Sequence, residues 1–168
     1  MLELQWRFKL RPSESMQLRP HLADRGHWLA VSWGTKGGRD RVVGIDTPEQ
    51  RDVLNRAKAF AEMPNASLCD PTLRLDQAKR KYYRVMRACG ITLKTGHITS
   101  HGLRHSGAND RYEELTGKAS PVRGGGPVDP ERDEYARRIV AEELGHSRPH
   151  ITTHYIGRYR RNNTAESI

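Results

Sequence analysis

The sequence predicts a mostly helical α+β domain with one small antiparallel β-hairpin, and three observations carry that expectation. Apolar residues recur at helical spacing in several long segments, two short segments alternate with a period of two around a glycine-rich turn, and 168 residues suit one domain with a core of its own. Residues 1–9 open without a start signal, as though the chain enters in the middle of a helix. In "HWLAVSW", residues 27–33, Leu29, Val31 and Trp33 alternate with Trp28, Ala30 and Ser32, and "RVVGI", residues 41–45, follows the turn. The pair predicts a hairpin with Lys36 near its tip.

Thr47, Pro48 and Gln50 then supply a capping signal for a helix through about Glu62, with Val53, Leu54, Ala57, Phe60 and Ala61 on its apolar face. After a loop at 63–71, Leu75, Ala78, Tyr82, Val85, Met86 and Cys89 form a second apolar stripe that Gly90 ends, while Lys79, Arg80, Lys81, Arg84 and Arg87 crowd the rest of that helix. A third helix is expected from Ser100 to Leu115. A fourth is expected from Pro130 to Leu144, on Tyr135, Ala136, Ile139, Val140 and Leu144. Between them "TGKASPVRGGGPVDP", residues 116–130, holds three consecutive glycines and three prolines and predicts a loop with freedom to move.

The formal charge is +9, and 22 of the 29 basic residues are arginine, whose planar fork suits bidentate contact with phosphate better than an ammonium does. This favours a polyanionic partner, nucleic acid first, over a basic surface that serves only solubility. No apolar run approaches the roughly 18 residues of a membrane span, so no membrane role is expected. Cys69 and Cys89 fit neither a disulfide framework nor paired metal-binding motifs, which points to a reducing cytosol.

"ELGHSRPHITTHYIG", residues 143–157, places His146 and Tyr155 nine residues apart. On one continuous helix that is about 900° of rotation, and the two side chains fall on opposite faces. Pro149 fits the first turn of a helix and disfavours a helical residue before it. The stretch therefore predicts a helix ending near Gly145, a break, and a short second helix, an arrangement able to bring His146 and Tyr155 together. In "SHGLRHSG", residues 100–107, His101 and Arg104 share a helix face. An exposed basic face is the plain alternative. His101 and His105 are spaced as a metal pair, but the permanent charge of Arg104 on the same side disfavours a cation, so no metal is assigned.

With these motifs in order along the chain, the sequence resembles the catalytic domain of tyrosine recombinases, the phage-integrase family. "LRPSE" supplies Arg11 with Glu14, "GTKGG" supplies Lys36, "HGLRH" supplies His101 and Arg104, "LGH" supplies His146, and "THYIG" supplies Tyr155, so that the resemblance spans residues 11–155. Two departures stand out. Lys9 replaces the glycine often found two residues before the first arginine, and the gap from Arg104 to His146 is long, as if a surface insertion were centred on Gly124–Gly126. The family's amino-terminal DNA-clamp domain is expected to be missing from residues 1–168, which read as the catalytic domain alone.

The resemblance implies chemistry without a metal, nucleotide or other cofactor. Tyr155 attacks the scissile phosphorus to form a 3′-phosphotyrosyl link, and the 5′-hydroxyl leaves. Arg11, Arg104 and His146 neutralise the phosphate, Lys36 protonates the leaving oxygen, His101 takes or helps to take the phenol proton, and Glu14 orients Arg11. It also implies double-stranded DNA as the partner, a homo-oligomer assembled on that DNA, room for accessory DNA-bending proteins, and a nucleoid-associated place in the cytoplasm of a prokaryote or phage host. Arg39, Arg41, Lys79 and Arg80 are the candidates for DNA-backbone contact, against a simple solvated face. His105, His150 and His154 fall to packing or surface. Two other functions stay open at this point: DNA relaxation of the type IB topoisomerase kind, and a DNA-binding regulator or remnant that has lost strand exchange.

Overall fold

The computed structural model describes residues 1–96, 98–146 and 149–159, with Pro149 described by its backbone only. Eight α-helices and two strands are formed among them. Helix α1 (Leu2–Arg7), α2 (Pro12–Gln17) and α3 (Pro20–Ala23) precede β1 (Trp28–Val31) and β2 (Arg41–Gly44). Helices α4 (Pro48–Phe60), α5 (Leu75–Ala88), α6 (Ser100–Thr116), α7 (Pro130–Glu143) and α8 (Thr153–Ile156) follow. The four long helices and the hairpin lie where the sequence predicts them, whereas α2 and α3 are too short to announce themselves by periodicity.

The caps follow the local chemistry. The Thr47 hydroxyl accepts from the Gln50 N–H while Gln50 reaches back to the Thr47 N–H, and Pro48 occupies the first turn of α4. Thr99 and Asp129 cap α6 and α7 in the same way, accepting from the Gly102 and Arg132 N–H groups. The strands pair antiparallel in the register Leu29 with Val43 and Val31 with Arg41. Directly paired residues share a face, so Leu29, Val31, Val43 and Arg41 point inward together, and Val42 points out.

The buried apolar residues form two clusters. One gathers Leu4, Phe8, Leu10, Leu18, Leu29, Val31, Val43 and Leu54 from α1 to α4, and the other gathers Ala108, Tyr112, Ala136, Val140, Leu144, Tyr155 and Ile156 from α6, α7 and α8. Helix α6 lies against α1 through Gly107, where a Cβ would overlap the Trp6 carbonyl. The Trp6 indole N–H donates to Asp110 at 2.6 Å and reinforces the contact.

One expectation is corrected. The stripe of α5 is only partly core: Ala78 and Met86 are buried, but Val85 is 52% exposed and Cys89 is also open. Tyr82 is half-buried with its hydroxyl 2.6 Å from Ser100 Oγ. Val85, Tyr82 and Leu73 instead line an apolar groove of about 630 Å³ with Phe60 and Met63, which neither Arg104 nor Tyr155 reaches. Between α6 and α7 the chain forms a loop, as expected, with one 3₁₀ turn at Pro121–Arg123 and several anchoring contacts. Ser120 is fully buried and donates to Asn109, Arg123 pairs with Asp110 at 2.6 Å, and the Gly125 N–H donates to the Ser120 carbonyl. Gly125 itself leaves no room for a Cβ beside the Ala119 carbonyl.

The break before α8 is formed as the sequence predicts. Helix α7 ends at Glu143, Gly145 has φ +69°, and a 3₁₀ turn at Pro149–Thr152 leads into α8. Arg148, the residue that Pro149 is expected to hold out of helical conformation, lies outside the described residues, as does Ser147.

Candidate active site

Glu14 organises the first half of the site. Arg11 is extended at the N-cap of α2 and Pro12 starts the helix, so the carboxylate one turn on accepts the Arg11 backbone N–H at 2.6 Å and its guanidinium at 2.7 Å. Arg41 reaches the same carboxylate with a bidentate fork at 2.7 and 2.8 Å, and Arg104 stands 3.7 Å away. Burial alone would push this carboxyl up, but the arginines, Arg41 foremost, bring it down to about 2.

Arg41 therefore differs from its expected place on the DNA-contacting surface. Its side chain is 5% exposed, its Nε–H donates to the Glu143 carbonyl at 2.7 Å, and its fork is committed to Glu14. The signal was in the strand alternation: with Val43 inward and Val42 outward, Arg41 must point inward. Arg39 stays exposed in the hairpin loop.

Arg104, on α6, is the largest fully buried side chain among the described residues, and it joins the two apolar clusters. Its guanidinium donates to the Lys9 carbonyl, between Phe8 and Leu10, and at 2.5 Å to the Leu144 carbonyl at the end of α7. Its Nε–H has no hydrogen-bond partner among the described residues. Burial first, and then the neighbouring Arg11, lower its pKa to about 10, which still leaves it fully charged at neutral pH, and the Tyr155 hydroxyl against it partly offsets the loss.

Tyr155 is buried in α8, and three imidazoles surround its ring: His105 stacked at 4.2 Å, His146 at 5.8 Å and His101 at 5.9 Å between centroids. The separation of His146 and Tyr155 in sequence is thus closed by the break between α7 and α8. His146 is lowered to about 4, first by burial and then by Arg104, Arg11 and Arg41, and its Nε2 is buried with no hydrogen-bond partner among the described residues. His101 and His105 are also lowered, by burial first, with Arg104 contributing to both. The lowering favours the neutral form of each ring, which can accept a proton or donate one N–H. Asn109 donates to the Tyr155 carbonyl at 3.1 Å and to the His105 carbonyl at 2.7 Å, fixing α8 on α6. The stacking of His105 and the anchoring by Asn109 had no sequence signal beyond their positions on the helix that carries Arg104.

A cleft of about 350 Å³ opens on this cluster, lined by Arg11, Ser13, Lys79, Tyr83, Ser100, His101 and Arg104. Lys79 thus stands at the cleft, whereas Arg80 is exposed beyond it and paired with Asp76 at 3.0 Å. Lys36 is not part of the cluster. It is exposed in the 3₁₀ turn Lys36–Gly38 between β1 and β2 and bonds to no described residue. No group of three or more His, Cys, Asp or Glu among the described residues is arranged to hold a metal ion, and no described helix is long and apolar enough to cross a membrane.

Residues 1–110 match the family described as Integrase, about two thirds of the chain. The chain belongs to the Integrase family. Membership supports a role in DNA integration or recombination and DNA as the partner. The match takes in Arg11, Glu14, Lys36, His101 and Arg104 of this integrase chain, while His146 and Tyr155 lie beyond it and are joined to the matched residues by the geometry above. No curated protein matches the chain.

Proposed function

We propose that the chain is the catalytic domain of a site-specific tyrosine recombinase, the integrase of a mobile element, which cuts and rejoins double-stranded DNA through a 3′-phosphotyrosyl intermediate. The observation that carries the reading is the convergence of Tyr155 with Arg104 and three imidazoles beside a cleft that Arg11 also lines.

The scissile phosphate enters that cleft between Arg11 and Arg104, whose remaining N–H groups meet its nonbridging oxygens. The Tyr155 oxygen attacks phosphorus and its proton passes to neutral His101. The bond to the 5′-oxygen breaks, and Lys36 gives that oxygen a proton when the hairpin loop closes on the DNA. His146 donates its N–H to the growing negative charge, and attack by a 5′-hydroxyl of a partner strand reverses the sequence. Lys79, at the cleft, and Arg80, on the same helix, hold the neighbouring DNA backbone, with Arg39 on the hairpin. Exchange between two duplexes calls for several copies on the DNA, and accessory DNA-bending proteins can assist.

A nicked suicide duplex, from which the short 5′-product diffuses away, tests the reading. The protein is expected to form a covalent adduct, and Tyr155→Phe to form none while binding duplex within a few-fold, since the phenol oxygen adds little to backbone affinity. An adduct that survives in Tyr155→Phe overturns the assignment of the nucleophile. Absence of any adduct with the unaltered protein overturns the enzymatic reading in favour of a DNA-binding regulator.

A further inference from the structure

Lys9 is the only described residue other than glycine with a positive φ, +53°. It follows Phe8, the C-cap of α1, at the position where helices commonly end in a left-handed glycine. A side chain is disfavoured in that conformation, yet this one is 3% exposed, so it is not there for solubility. Its stem runs past Gly107 of α6, where a Cβ would stand 3.2 Å from Lys9 Cγ. Its Nζ ends 2.8 Å from Glu143 Oε2 at the end of α7. The contact is an ion pair outside hydrogen-bond alignment, since Oε2 accepts no hydrogen bond from a described residue, while Oε1 accepts from Arg111 at 3.1 Å.

One partner of this ion pair is an end of the Arg104 seat, and the other adjoins the second end. Arg104 donates to the carbonyl of Lys9 itself and to that of Leu144, the residue after Glu143. The Glu143 carbonyl holds Arg41. A closed ring results: Arg104 to the Lys9 carbonyl, Lys9 ammonium to the Glu143 carboxylate, and one residue along the chain to the Leu144 carbonyl and back to Arg104. The ion pair thus adds a second link between Lys9 and the end of α7 beside the one made by the guanidinium, which in the recombinase reading also receives the phosphate.

We infer that Lys9 and Glu143 are a positioning pair for Arg104, in which a lysine in a glycine-type conformation fixes the distance between the two carbonyls that aim the guanidinium into the cleft. The inference rests on the recombinase reading for its catalytic consequence, but not for its geometry.

Lys9→Gly is the informative variant at this position, because glycine keeps the left-handed backbone and the carbonyl while removing the stem and its ammonium; Glu143→Gln removes the other charge alone. In ¹⁵N-labelled protein without DNA, the Arg104 Nε–H signal is identified by its loss in Arg104→Lys, and its exchange with solvent is measured. Exchange is expected to rise about tenfold in each single variant and no further in the double variant, because the two residues act as one unit. On the nicked duplex, single-turnover adduct formation is expected to fall about 10- to 10²-fold with duplex Kd within two-fold, the signature of a misplaced group. In an Arg104→Ala background neither variant is expected to lower the residual rate further. Unchanged Arg104 exchange overturns the inference, as does an equal loss of rate with and without Arg104, which marks a merely structural pair. A protein that forms no adduct at all fails the recombinase reading alone, and the exchange measurement then decides the positioning role.

Discussion

Replacing Glu14 with glutamine removes the single negative charge that three arginines share and keeps the size of the side chain. The carboxylate accepts four hydrogen bonds, two from Arg41 and two from Arg11, and has no exposure to water. Its fall from 4.5 to about 2 on folding, at about 1.36 kcal/mol per unit, corresponds to about 3 kcal/mol of stability at neutral pH. The cost of breaking a buried pair from one side, about 3–5 kcal/mol, agrees in size. Glu14→Gln should therefore lose about 3 kcal/mol at pH 7, or ~6–12 °C in Tm for a chain of this length. The pH dependence has a definite sign. The folded pKa is depressed, so the stabilisation is complete above about 4.5 and is lost as pH falls toward about 2. Urea unfolding of both proteins at pH 7, 5 and 3 is expected to show a constant gap between pH 7 and 5 and a narrower one at pH 3. A gap below about 1 kcal/mol at pH 7, or one that does not change with pH, would refute the assignment of Glu14 as the ionised hub.

Three further outcomes are expected. Arg104→Lys should slow adduct formation by at least ~10², because one ammonium cannot satisfy two opposed carbonyls and still clamp a phosphate; near-normal single-turnover rates would show that charge alone matters. Lys36→Ala should leave the unfolding midpoint unchanged, since Lys36 is exposed and bonds to no described residue, while impairing cleavage. A bridging 5′-sulfur, which leaves without a proton, should restore that variant and not Arg104→Ala; equal defects on both substrates would remove Lys36 from the acid role. Gly107→Ala, which in an open helix would stabilise by about 0.5–1 kcal/mol, should here destabilise by about 1–3 kcal/mol, because its methyl meets the Trp6 backbone; a neutral or stabilising result in chemical denaturation would mean that α1 is not seated on α6 as described.

Periodicity, caps and breakers act within a few residues of each other, so the sequence alone determined the long helices, the hairpin and the break at Gly145 that lets Tyr155 turn toward His146. The resemblance, spread over short motifs in order, likewise named Arg11, Glu14, Lys36, His101, Arg104, His146 and Tyr155 without any knowledge of their distances. What the tertiary structure decided is how the charges are spent. Arg41 and Arg39 are both arginines beside one turn, yet strand pairing turns the first onto Glu14 and leaves the second exposed. The stripe of α5 has the pattern of a core helix, but no element covers Val85 among the described residues, so its apolar face lines a groove. Lys9, legible only as a departure from a glycine, becomes intelligible once α1 and the end of α7 stand on either side of Arg104. The partners of the buried arginines lie 27 positions away for Arg41 and Glu14, 40 for Arg104 and Leu144 and 102 for Arg41 and Glu143, and only packing sets which of them meet.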